Sequence, residues 1–264
     1  MADLYDNWCR WRRTVYGKKT LWRLTERQMG RAFALGELPG RVLDHYVSDE
    51  EIAEFLEALE FPKVADCIRQ LLPEEAIGRS GDLGEILAAE FVEEKLGYEV
   101  PVRRLRGKDH RDMAMRGEDV IGVAYDDKDR LKLLKGEAKS AKVLSSATVE
   151  GARKKLEEGH GRPSAHSLIF VARQLVMSED QERKELGKAI LREATDRSIP
   201  KRRLSHLLFT LTGNEVSSIV KADIDAADGA RDQYSTNLRI PDHGEFVEAV
   251  YDRAYEEAGS LGDS

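Results

Sequence analysis

Asp119, Glu137 and Lys139 are the residues of this chain whose types and spacing could do chemistry together. Asp119 lies in Gly117-Glu118-Asp119-Val120-Ile121-Gly122-Val123, and the other two lie in Lys135-Gly136-Glu137-Ala138-Lys139-Ser140. Two carboxylates and an ammonium that converge are what metal-assisted cleavage of a phosphodiester needs. Hard oxygen ligands suit magnesium, and a bound divalent ion polarises the phosphate and lowers the pKa of an attacking water. The ammonium can orient that water or offset the charge that develops on phosphorus.

The elements that must bring them together are two short β-prone runs, Val120–Tyr125 and Leu131–Gly136, joined by the polar turn Asp126-Asp127-Lys128-Asp129-Arg130. A turn centred on Lys128 sets Asp119 opposite Glu137, with Cβ atoms about 5 Å apart. Alternation then puts Asp119, Ile121, Val123 and Tyr125 on one face with Leu131, Leu133, Glu137 and Lys139. Opposed like charges destabilise a sheet, and a bound cation removes that penalty. Glu-x-Lys alone is weak, because acids and lysines alternate on many solvated strands. The opposed Asp strengthens it.

A third acid comes from Ser80–Gly97, which the spacing predicts as a helix with Ser80 or Asp82 as N-cap and Gly97 as stop. Glu85 falls on its apolar arc beside Val92 and Leu96, while Glu90, Glu93 and Glu94 gather on the other side. A carboxylate on the apolar side needs a partner. It is either an N-terminal-turn acid held by the helix dipole or a third acid aimed at the hairpin.

Helix with an inward Glu, strand, strand opening on Asp, strand ending in Glu-x-Lys, helix, strand: from about Ser80 to Gly213 this order resembles the PD-(D/E)xK nuclease core, whose topology is αβββαβ. No Pro precedes Asp119. The wording Arg116–Gly122 with Gly136–Ser140 more narrowly resembles the HamA family, nuclease subunits of Hachiman anti-phage systems. The resemblance implies an α/β, restriction-endonuclease-like core with a mixed sheet. It also implies Mg2+ (or Mn2+) at Asp119, Glu137 and Glu85, DNA as substrate, and control by an ATP-dependent partner helicase of the HamB kind. Asp112, in Lys108-Asp109-His110-Arg111-Asp112, is a rival for the strand acid. Asp119 is preferred on register. An RNase, a sequence-specific restriction enzyme and an inactive binding module are the alternatives on the same core.

Composition agrees with a globular enzyme: 264 residues, 41% hydrophobic and 34% charged. Two cysteines, Cys9 and Cys67, indicate a reducing compartment rather than a disulfide framework. No apolar run is long enough for a membrane helix, and the N-terminus is not a signal peptide, so a cytoplasmic location is expected. The net charge of −7 argues mildly against nucleic acid, but distribution matters more than the sum. Residues 1–31 hold eight Lys/Arg, three acids and all three Trp. Arg103, Arg104, Arg106, Lys108 and Arg111 form a second basic cluster beside the acids and could contact phosphates. Lys201, Arg202 and Arg203 read as a solvated face.

Along the rest, 48–60 reads as a helix with a Ser48/Glu51 capping box, and Pro62–Leu72 as another. Tyr98–Arg106 reads as a first strand, Ala147–Glu158 as a helix and Ser167–Ala172 as a buried strand. Glu179–Arg197 reads as a charged helix, His206–Thr212 as a strand and Phe246–Ala258 as a final helix. The tail, Gly259–Ser264, is expected to be disordered. Residues 1–75 are expected as a helical appendage that docks a partner, and 76–264 as the nuclease-like domain. Tyr16-Gly17-Lys18-Lys19-Thr20 lacks a P-loop's upstream Gly. His160 and His166 have no partners at metal spacing.

Overall fold

In the computed structural model, which describes residues 3–59, 61–113, 115–195 and 199–260, a short helix α1 (Leu4–Trp8) runs into a hairpin, β1 (Cys9–Tyr16) and β2 (Lys19–Glu26). Helices α2 (Gly30–Tyr46), α3 (Asp49–Ala58), α4 (Phe61–Leu71) and α5 (Ala76–Leu96) follow. Then come β3 (Val120–Tyr125), β4 (Leu131–Ala141), α6 (Ser146–Glu157), α7 (Ala165–Met177) and α8 (Gln181–Thr195). The chain finishes with β5 (Leu204–Thr212), α9 (Ser217–Ala226), β6 (Asp232–Arg239) and α10 (His243–Ser260).

Among the described residues the strands form one mixed sheet in the order β1-β2-β6-β5-β4-β3. β4, β5, β6 and β2 run parallel, and the two hairpins supply antiparallel edges. β5 (LSHLLFTLT) is buried along its whole length, as a central strand covered on both faces must be. On one face α5 packs Leu83, Ile86, Leu87, Phe91 and Val92 against Val120, Leu134 and Phe209. On the other, α6 and α9 pack Val149, Ala152, Leu156 and Val220 against Leu21 and Leu208. The α7–α8 pair covers Ile121, Val123, Leu131 and Leu133. The two edge-hairpin faces foreseen from alternation are therefore separated as expected.

The hairpin register is the expected one: Val120 pairs with Gly136 and Tyr125 with Leu131. Gly136 is required there, because a Cβ would come 2.9 Å from that of Val120. Gly136→Ala should therefore cost about 1–3 kcal/mol, read as a lower urea midpoint. An unchanged midpoint would mean that the two strands can move apart freely.

Several expectations need correction. The first 75 residues are not a helical appendage. Residues 9–26 form two strands of the main sheet, with β2 parallel to β6. Phe91 of α5 packs against Tyr5, Trp22 and Phe209, at 5.3, 5.6 and 5.8 Å between ring centres. One core cluster runs from Leu4 to Ala258. The aromatic residues were a core signal, and alternation of Arg with apolar residues was a strand signal. Helices α2, α3 and α4 follow that hairpin, and α3 carries the foreseen capping box; Glu60, at the end of that expected helix, lies outside the described residues.

Helix α5 starts at Ala76, so neither Ser80 nor Asp82 is its cap; Gly97, at φ 69°, ends it as expected. Glu90 does lie across the helix from the apolar arc, yet it does not face water. It is buried with Arg41 and His45, whose hydrogen bond and charges outweigh desolvation and hold its pKa at about 2. Tyr98–Arg106 is not a strand. A single bridge joins Glu99 to Val123, Pro101 cannot donate to a ladder, and a 3-10 turn follows at Arg104–Gly107. Ser167–Ala172 lies in α7, capped by Ser164, with Leu168, Val171, Ala172 and Leu175 at helical spacing. The end of the expected Glu179–Arg197 helix and the tail 261–264 lie outside the described residues, while Gly259 and Ser260 belong to α10.

Candidate active site

Asp119 sits just before β3. Its Oδ2 accepts the Ala138 backbone N–H at 2.8 Å, which pins it onto β4 beside Glu137. Its Oδ1 lies 3.2 Å from Arg104 Nη1 and 3.4 Å from Lys155 Nζ. Glu137 is almost wholly buried. Lys139 Nζ donates to its Oε1 at 2.7 Å, and Lys155 Nζ lies 2.8 Å from its Oε2. Glu85 reaches in from α5, with Oε2 3.6 Å from Arg104 Nη1. The sequence-derived trio and the helix acid thus meet at one corner of the sheet, fed from α5 on one face and α6 on the other.

Burial and then the Asp119 charge push the Glu85 carboxyl up to about 8. The same two causes, in the same order, raise Glu137, although Lys139 and Lys155 pull it down. Lys155 is raised: desolvation lowers it, but Asp119 and Glu137 more than compensate. The site is a like-charge crowd held by three cations.

Two of those cations carry roles that the sequence reading did not assign. Lys155 was not singled out. It flanks the inward stripe Val149, Ala152 and Leu156 of α6, and a lysine beside the apolar stripe of the helix that follows Glu-x-Lys was the available signal. Arg104 was grouped with a phosphate-binding run, yet it points inward and also donates to the Glu118 carbonyl at 2.6 Å. The remaining members of that run are engaged by acids: Arg103 with Glu93 (2.7 Å), Arg106 with Asp44 (2.7 Å), Lys108 with Asp82 (2.5 Å) and Arg111 with Glu74 (2.5 Å). Asp112 accepts the backbone N–H groups of Glu74 and Glu75 at 3.0 and 3.1 Å, which ties it to the segment leading into α5.

Glu85 and Asp119 face an open cleft of about 850 Å3 that is also lined by Lys139, Lys155, Ser140, Ser80 and His243. Ser140 Oγ is 2.8 Å from both His243 Nε2 and Ser80 Oγ. Among the described residues, no three His, Cys, Asp or Glu side chains stand as a ready metal-ligand set. Arg104 and Lys155 lie against Asp119 Oδ1 instead. The donor chemistry nonetheless suits a hard divalent ion: all three groups are carboxylates, and Glu85 Oε2 is buried with no hydrogen-bond partner. Lys155 and Lys139 are partly exposed and can swing toward the cleft.

Among the described residues no helix is long and apolar enough to cross a membrane. The HamA family model matches residues 35–254, a span that holds Glu85, Asp119, Glu137, Lys139 and Lys155 and begins after the first hairpin. Hachiman protein HamA of Bacillus cereus is 27% identical over 201 residues, covering 76% of this chain and 69% of that protein. The chain belongs to the HamA family of anti-phage defence proteins.

Proposed function

We propose that this chain is a metal-dependent nuclease of the PD-(D/E)xK kind that hydrolyses DNA phosphodiester bonds with little sequence specificity, as a defence effector controlled by a partner helicase. The observation that carries the reading is the pinning of Asp119 beside Glu137, with Lys139 and Lys155 on the same carboxylate and Glu85 Oε2 buried behind them without a hydrogen bond. Mg2+ held by Asp119, Glu137 and Glu85 would supply Lewis-acid polarisation of the phosphate and an acidified water.

The protein's own residues do the rest. The Ala138 N–H fixes the direction of the Asp119 carboxylate. Arg104 keeps Asp119 and Glu85 in one field. Lys139, a third exposed, reaches the cleft, where it can orient a water or face the developing phosphorane charge. Purified protein incubated with plasmid, single-stranded DNA and tRNA, in Mg2+ and in EDTA, tests the reading and separates DNase from RNase. No cleavage of any substrate in Mg2+ or Mn2+, with the partner present, sinks it.

Partner docking stays with the N-terminal helices, and α3 is the favoured element. None of its residues is fully buried, and Leu56, with Leu59 just past its end, is exposed. Removing residues 1–75 would take two strands and part of the core with them, so truncation is not a clean test. Leu56→Glu should instead reduce co-purification with the helicase at least about tenfold, one charge in an apolar contact being worth over ~1.4 kcal/mol. Basal cleavage should not change. Full retention of the helicase would place docking elsewhere.

A further inference from the structure

Four arginines gather on one face at the far end of the sheet. Arg12 of β1 stands directly opposite Arg23 of β2; Arg10 stands opposite Thr25, which in turn pairs with Arg239 of β6. Paired residues share a face, so all four side chains leave the sheet on the same side. Directly opposed Cβ atoms lie about 5 Å apart, and like charges there are destabilising. Among the described residues, Arg10, Arg12 and Arg23 make no hydrogen bond or ion pair with an acid. The Nε atoms of Arg23 and Arg239 are buried without an acceptor. Glu215, 3.5 Å from Arg239 and itself 59% exposed, is the acid that faces the group.

Guarding an open edge strand against stray pairing is the ordinary use of such charges, and it covers Arg10 and Arg12. It does not cover Arg23 or Arg239, whose strands are paired on both sides. Nor is this how the chain treats its other basic run, where Arg103, Arg106, Lys108 and Arg111 each meet a carboxylate. Among the described residues the guanidinium groups of Arg10, Arg12 and Arg23 meet no carboxylate. Such groups attract an anion, and their planar forks match phosphate oxygens in pairs.

The register of the sheet also connects the patch to the acids. Lys139, Thr210, Asn237, Arg23 and Arg12 are successive partners in one row across β4, β5, β6, β2 and β1. At about 4.8 Å per strand, Arg23 is ~14 Å and Arg12 ~19 Å from Lys139 along that row. Thr210 and Asn237 are buried, so only the two ends of the row reach outward. Both ends lie toward the carboxyl ends of the parallel strands, where open α/β sheets bind ligands. A span of 14–19 Å is roughly four to six base steps at about 3.4 Å each.

Resting on the nuclease reading above, we infer that Arg10, Arg12, Arg23 and Arg239 clamp the phosphate backbone of the substrate about four to six nucleotides from the cut. Such a clamp is blind to sequence and sensitive to salt.

The test uses the full chain in EDTA, where binding is read without cleavage, with a fluorescein-labelled duplex followed by anisotropy over a range of salt. Arg10→Ala with Arg12→Ala should weaken binding on the order of tenfold at moderate salt. It should also flatten the log–log salt slope by roughly 1.8, or 0.9 per lost contact. Lys201→Ala with Arg202→Ala should leave both values alone. The arginine variant should melt no lower than the wild type, because an opposed like-charge pair is relieved. An unchanged slope overturns the inference, as does a wild-type chain that binds no duplex. A lower melting temperature with the slope intact assigns the arginines to the fold and overturns it. Intact DNA binding with loss of the helicase partner assigns the patch to an acidic protein surface and overturns it too. Duplex bound through these arginines yet never cut in Mg2+ upholds the clamp while sinking the nuclease reading.

Discussion

Glu137→Ala combined with Lys139→Ala is expected to lower Mg2+-dependent DNA cleavage by on the order of a thousandfold or more, with the protein still folded. Glu137 is nearly inaccessible and holds both Lys139 and Lys155. Removing the acid alone would leave the Lys139 ammonium without its carboxylate at the rim, where its partial exposure keeps the cost small. The paired change removes that complication, since Lys155 is 40% exposed and can turn to solvent. Asp119→Asn offers a second route, because the amide keeps an oxygen for the Ala138 N–H but loses the charge. Cleavage by gel assay and folding by circular dichroism decide the matter. A folded double variant that cuts at the wild-type rate removes these residues from the chemistry.

The second large effect is on stability against pH in EDTA. Glu85 titrates at about 8 in the folded chain, against 4.5 for an ordinary glutamate, because it is buried and faces Asp119. Its folded pKa is raised, so the native state binds a proton that the unfolded chain has released. Below about 4.5 both states are protonated and there is no cost. Between 4.5 and 8 the unfolded chain ionises first and stability falls; above 8 the full penalty is present. Its size is on the order of 3–5 kcal/mol. Glu137 shifts in the same direction and adds to the slope. Glu90, held at about 2, acts with the opposite sign but only below the glutamate range. Glu85→Gln should therefore be the more stable protein at alkaline pH and nearly equal to the wild type near pH 4. Urea midpoints for both, measured across that range, give the answer. Parallel curves would show that Glu85 ionises as an ordinary carboxyl.

The hairpin and its acids were legible because their signal is local. A polar turn centred on Lys128 and period-two alternation fix a register that places Asp119 opposite Glu137 without any knowledge of the remaining fold. Glu85 was legible from helical periodicity, as the lone acid on an apolar arc. What stayed hidden depends on distant partners. β6 (DQYSTNLR) shows no apolar strand pattern, because its inward side chains are satisfied from elsewhere: Arg153 donates to Gln233 at 2.8 Å, and Asn237 donates to Thr210 and Thr212 at 3.0 and 2.9 Å. The stretch Leu168–Ala172 is apolar all round, and short apolar runs do not distinguish strand from helix. The capping Ser164 was the deciding cue. The basic run at 103–111 looked like a nucleic-acid surface because its counter-charges, Asp44, Glu74, Asp82 and Glu93, lie on other elements.

β2 finds its parallel neighbour in β6, more than two hundred positions downstream, as in the pairing of Leu21 with Ser235. On a ribosome the opening hairpin therefore waits, unmated, until nearly the whole polypeptide has emerged. Closing so long a loop is slow, and a segment held open for that time is exposed to mispairing. Nascent chains cut short before residue 232 would leave Trp22 and its aromatic neighbours uncovered, marking unfinished copies for chaperones and proteases.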